Sequence, residues 1–194
     1  MPYPEGHREQ VRDKIIDSAR RLFNKNGFEG VSVDAIMAHA GLTRGGFYSY
    51  FSSKSELYGE VMRCFFTDPD WPHRWEGVHF DHRSDAGPQV VRAYLSKGHF
   101  DDVENSCPLI ALPNDVARAD ETVKAAFETV FRAMIALIGR DIKSKRAREK
   151  AAMAIAALCI GGMVVSRSVN SPELGEQLRK AAMKAALELG GWAA

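Results

Sequence analysis

Between Ala35 and Ser55 the sequence has no aspartate or glutamate, although the whole chain carries 25 acids against 26 lysines and arginines. The overall balance of +1 excludes a global attraction to nucleic acid or to an anionic membrane, so any electrostatic footprint must be local. Cysteine is scarce: Cys64, Cys107 and Cys159 are an odd set without metal-ligand spacing. That argues against a disulfide scaffold and suits a reducing, cytoplasmic setting. Long apolar runs are missing too. The longest, Ala151 to Val165, has 15 residues and is rich in alanine and glycine. It falls short of the roughly 20 that span a bilayer and reads as a buried helix. The opening MPYPEGHREQ is polar and has no leader pattern. There is no strand alternation, no internal repeat, no nucleophile–base pair and no phosphate loop. Neither an enzyme nor a cofactor is expected.

What is present is helical periodicity in an ordinary globular composition, 45% apolar over 194 residues. Val11, Ile15, Ile16, Ala19, Leu22 and Phe23 share one face of a first helix, which Asn26-Gly27 should stop. Ser32 is the expected N-cap of a short second helix, from Val33 to about His39, and Gly41 breaks it. Thr43 is the expected N-cap of a third helix reaching about Tyr50. Ser53 to Glu56 reads as a capping box that opens a fourth. Thr67 to Asp85 is dense in Pro, Asp, His and Trp and reads as a connecting loop. Its His79, Asp81 and His82 are taken as a solvated cluster, not metal ligands. Further helices are expected near 87–97, 108–118, 121–142, 146–168 and 172–190, with a break at Pro113 and Pro172 in a first turn. The fold class is all-α.

The short second and third helices, joined by a glycine turn, form a helix-turn-helix pattern, whose second helix lies in a DNA major groove. Phe47 and Phe51 supply an inward i, i+4 pair. The opposite face carries Arg44, Gly45, Ser49 and partly Tyr48. Arg44 has the reach for a guanine edge or a phosphate. Tyrosine and serine hydroxyls are phosphate hydrogen-bonders, and Lys54 opens a helix whose free N–H groups favour an anion. A carboxylate on such a face would oppose phosphate, which accounts for the missing acids. Residues 1–60 nevertheless hold 8 basic and 8 acidic side chains. Charge and periodicity alone therefore leave DNA binding and plain helical packing both open.

The run GFEGVSVDAIMAHAGLTRGGFYSYFSSKSEL resembles the DNA-binding region of the tetracycline-repressor (TetR) family of bacterial regulators. The marks are Ala19, Leu22 and Phe23; Gly27 and Phe28; Ser32 and Ile36; Ala40 to Thr43; Gly45, Tyr48 and Phe51; and Lys54 with Leu57. The departures are Val31 and Gly46, where threonine is common, and Ala35, where aspartate is common. The resemblance implies residues 1–55 as the DNA-binding domain, with 54–66 connecting to a ligand-binding and dimerisation domain at 67–194. It implies DNA contacts from Arg44, Gly45, Gly46, Tyr48, Ser49 and Tyr50, with Lys54 on phosphate. Ser32, Val33 and Thr43, at the two helix starts, join that set. The implied partner is a palindromic operator in double-stranded DNA.

For the larger part, the resemblance implies a homodimer paired through its last two helices. Ala154, Leu158, Gly161, Gly162, Met183 and Leu187 are the expected contacts. It also implies a pocket for a small-molecule effector. Tyr94, Leu95, Phe100, Cys107 and Leu109 are candidate linings, as are Leu112, Phe127, Phe131, Met134 and Met163. The combined expectation is a ligand-responsive repressor. Two alternatives stay open: a helical small-molecule-binding protein without DNA binding, and a regulator that senses oxidants or electrophiles through Cys107, at a helix start.

Overall fold

The computed structural model describes residues 6–68, 81, 85–111, 113–144 and 146–192, and every regular element among them is helical. The chain forms two compact units. One joins Met1–Thr67 to Cys107–Phe127; the other joins Asp68–Ser106 to Glu128–Ala194. The chain thus passes between units three times, not once near residue 66. Most of the Thr67–Asp85 loop, with His79 and His82, lies outside the described residues.

In the first unit, α1 (His7–Asn26) packs on α2 (Val33–His39) and α3 (Lys54–Thr67), and a 3-10 helix (Arg44–Ser49) packs on α2. Local chemistry sets these limits. Gly27 takes φ +77, open to glycine, and its N–H returns to the Phe23 carbonyl. Ser32 Oγ accepts from the Ala35 N–H at 3.1 Å. The start of α3 carries a shifted capping box: Ser53 Oγ accepts from Glu56 N–H, while Glu56 accepts from the amide and hydroxyl of Ser52. Those two Ser52 bonds hold the Glu56 carboxyl below its usual range. The buried Ile15, Ala19, Ile36, Phe47, Phe51, Leu57 and Val61 form the core. Phe23, Phe28 and Tyr58 add an aromatic cluster with centroids 5.4–5.8 Å apart.

The later segment supplies α6 (Pro108–Ala111), α7 (Pro113–Arg118) and the start of α8 (Glu121–Gly139). The expected break at Pro113 falls between α6 and α7. Here α6 packs on α1 and α3. Asp115 Oδ2 accepts from Phe28 N–H at 3.0 Å, and Ser55 Oγ donates to Asp120 at 2.6 Å.

The second unit holds α4 (Ala86–Tyr94), α5 (Lys97–Asp101), the rest of α8, α9 (Arg148–Arg167) and α10 (Pro172–Gly190). The expected helix over 87–97 is interrupted because Ser96 takes an extended backbone and its Oγ caps α5 at His99 N–H. Between them α9 and α10 form the main seam, with α4 against both. By length and composition α9 is apolar enough to cross a membrane. Here Ala152, Ile155, Ala156, Cys159 and Met163 on it are fully buried. The seam is tight: a Cβ on Gly162 would lie 2.5 Å from Ala182 Cβ. Gly162→Val should therefore destabilise the protein by about 1–3 kcal/mol through overpacking. Urea unfolding followed by circular dichroism is the check. Gly161 meets nothing within 4 Å in its own chain, so the same change there adds no clash within the subunit.

Candidate nucleic-acid interface

The turn after α2 is built by Gly41, at φ +69, with Leu42 N–H donating to Met37 O at 2.8 Å. The chain then enters the 3-10 helix, closed by Gly46 N–H to Thr43 O and Tyr50 N–H to Phe47 O. An α-helix to Tyr50 was the expectation; the structure has six residues of tighter 3-10 winding. Adjacent Gly45 and Gly46 are weak α-formers, and short 3-10 pieces need fewer successive bonds. Thr43 stands at the N-cap position with extended backbone, but its side chain makes no capping bond.

This helix divides as the sequence predicts. Phe47 is fully buried, 5.8 Å from the Phe51 ring. Thr43, Arg44, Gly45, Tyr48 and Ser49 are exposed, Tyr48 to 65%. Gly46 and Tyr50 are half-buried. A Cβ on Gly45 would meet nothing within 4 Å, and one on Gly46 only Met37 Cε at 3.6 Å. The protein's own packing therefore demands neither glycine; an outside surface approaching the backbone would. Ser32 is exposed at the start of α2, and Val33 is half-buried beside it.

Lys54, the expected phosphate contact, also has partners within the protein. Its ammonium donates to Phe28 O at 2.9 Å and Val31 O at 3.1 Å and lies 4.3 Å from the Phe28 ring centroid. Two of its three donors are thereby committed to the loop between α1 and α2. Phe28 is held at both backbone atoms, its N–H by Asp115 and its carbonyl by Lys54.

Sequence reading missed three contributors. Arg8 donates to Ser49 O at 3.0 Å and lies over the Tyr50 ring at 5.9 Å. With Val11, Met37, Leu42 and Thr43 it lines a groove of about 500 Å³ beside the 3-10 helix. Arg12 pairs with Glu60, which also binds Arg63 at 2.7 Å. These two cations hold the Glu60 carboxyl down at about 2. Asp34 binds Arg44 at 3.0 Å. Arg8 and Arg12 stand on the first turns of α1, where charge alternates and no local pattern marks them out.

Residues 15–61 match the family model of bacterial regulatory proteins, tetR family. Over that stretch the chain is similar to the tetR family. It is 34% identical over 56 residues to the biofilm operon icaADBC negative transcriptional regulator IcaR of Staphylococcus aureus. That match covers 29% of this chain and only 30% of the relative. Among solved structures, reduced NemR of E. coli aligns with a TM-score of 0.69 at 16% identity, covering 93% of this chain and 97% of that one. A complex of SmeT with triclosan aligns with a TM-score of 0.61 at 18% identity, covering 92% and 90%. The structural likeness extends the shared all-helical fold along nearly the whole length.

The expected pocket residues divide between the units. Tyr94, Leu95, Met134 and Met163 are buried in the second, with Phe100 and Phe131 half-buried there. Cys107 and Leu109 are buried in the first, with Phe127 half-buried. Leu112 lies outside the described residues. Cys107 is 1% exposed and precedes a helix of only four residues. The helix-terminus argument for a reactive thiol therefore loses its basis.

Of the expected dimer residues, Gly162 faces Ala182 within the same chain. Ala154 is exposed, and Leu158, Gly161, Met183 and Leu187 are half-exposed. Met153, Val165 and Leu189 add exposed apolar surface on the same two helices.

Proposed function

We propose that this chain is a cytoplasmic, homodimeric transcriptional regulator, a repressor that a small molecule releases from palindromic DNA. The observation that carries the reading is the 3-10 helix: a buried Phe47 anchors it, and Arg44, Gly45, Tyr48 and Ser49 stand out to solvent beside two glycines that internal packing does not require. IcaR, which matches this region, is a negative regulator of transcription. In this reading Arg44 meets base edges. Tyr48, Ser49, Tyr50 and Thr43 meet the sugar-phosphate backbone, with Ser32 and Val33 beside them, and Gly45 and Gly46 let the strand come close.

The apolar surface left on α9 and α10, including Leu158, Gly161, Met183 and Leu187, supports pairing with a second copy. A two-fold pair presents two reading helices about 34 Å apart, one turn of duplex. The effector would occupy the second unit among Tyr94, Leu95, Phe100, Phe131, Met134 and Met163. SmeT, with the same fold, is known with triclosan bound. An effector shifts the DNA-competent population only by its differential affinity for the two states, and DNA weakens effector binding by the same factor.

The test is a selection from a random duplex pool, followed by gel-shift titrations on the recovered site. Arg44→Ala should weaken the best site by about 1–3 kcal/mol and flatten base preference. Tyr48→Ala should weaken selected and random duplexes alike. Failure of the wild-type protein to enrich any sequence would reject the reading.

A further inference from the structure

Asp34 holds the only carboxylate seen to touch the reading helix among the described residues. Its Oδ2 lies 3.0 Å from Arg44 Nη1, and both side chains are more than half exposed. It is the last acid before the acid-free window, and folding returns it to the one cation on the 3-10 helix. The pair is not explained by stability. Exposed ion pairs contribute little, and a carboxylate near phosphates costs DNA affinity. Its position offers something else. Arg44 has no side chain after it to lean on, because Gly45 and Gly46 follow. A long guanidinium on such a backbone could swing to any nearby phosphate. Asp34 sits in the first turn of α2, where Ser32 caps the helix and the backbone is fixed.

We infer that Asp34 is a positioning residue for specificity, holding the Arg44 guanidinium toward base edges and away from the phosphates. The inference rests on the DNA-binding reading above. It predicts a split that a merely repulsive charge would not produce. Repulsion lowers affinity for every duplex by one factor, whereas positioning changes the ratio of selected-site to random-duplex affinity.

The experiment measures that ratio, at one salt concentration, for wild type, Asp34→Asn, Asp34→Glu, Arg44→Ala and the Asp34→Asn/Arg44→Ala double variant. Asp34→Asn should tighten random-duplex binding and lower the ratio about tenfold, the worth of one good base contact. Asp34→Glu keeps the charge but moves the oxygens outward; it should lower the ratio and leave random-duplex affinity unchanged. In the Arg44→Ala background, Asp34→Asn should leave the ratio where Arg44→Ala alone put it. An unchanged ratio in both single variants, or a common gain on every duplex, overturns the inference. If Asp34→Asn loses helicity by circular dichroism, Asp34→Glu alone decides. A wild-type protein without sequence preference would instead overturn the DNA-binding reading itself.

Discussion

Lowering the pH from 7 to 4.5 should remove roughly 3 kcal/mol of stability, and His99 is the reason. The ring is fully buried in the second unit and its Nδ1 lies 2.7 Å from Tyr94 O. A backbone carbonyl only accepts, so Nδ1 carries a proton, and full burial keeps the ring neutral. The Arg167 guanidinium is close by. It donates to the carbonyls of His99 and Phe100, and to Ser106 Oγ at 2.7 Å. Burial, opposed by the Tyr94 carbonyl and aided by the Arg167 charge, pulls the His99 pKa down to about 3.

The unfolded chain should bind this proton near pH 6.5, the folded one only near 3. Between those values the unfolded state holds the extra proton, so stability is full above about 6.5 and falls as pH drops. The slope approaches about 1.4 kcal/mol per pH unit. Glu60, held at about 2, acts in the same direction but only below its ordinary value of 4.5. The window from 6.5 to 4.5 therefore isolates the histidine. Urea titrations at half-unit pH steps should show this loss in wild type and a flat line in His99→Gln. Equal slopes in the two proteins would disprove the assignment.

How far the sequence reaches depends on how local each signal is. Gly27, Ser32, Ser53 and Pro172 act on their own backbone within four residues, and the elements start or stop where those residues say. Phe47 and Phe51 point inward because their spacing leaves them no other side. Signals that depend on a partner far along the chain are not legible in this way. Lys54 looks like a phosphate ligand by type and position, yet its partners Phe28 and Val31 stand more than 20 residues earlier. Asp115 reaches Phe28 across 87 positions, and this draws the α6–α7 segment into the first unit. Gly162 reads as a place for a second subunit to approach, and Ala182 of the same chain fills it. In each case residue type announced a close approach or a charge contact, and only the fold says with what.

Lys54 also sets apart two explanations of one phenotype. Lys54→Met should cost about 3 kcal/mol or more. The ammonium makes two charge-assisted hydrogen bonds, each worth about 1.5–3 kcal/mol, and sits over the Phe28 ring. Methionine keeps most of the stem but leaves the Phe28 and Val31 carbonyls without this donor. The loop between α1 and α2 then loses one of its two clamps, Asp115 being the other. DNA affinity should fall as well, through a loosened α2, and the salt dependence distinguishes the routes. A lost phosphate contact lowers the slope of log K against log salt by about one. A lost clamp leaves the slope as in wild type, because the same cations meet the same phosphates in the fraction that is folded. Lys54→Arg should rescue little, since a planar guanidinium does not reproduce a point charge set between two carbonyls. The decisive result is therefore a large fall in melting temperature with an unchanged salt slope. A stable variant with a slope reduced by about one would return Lys54 to the DNA face.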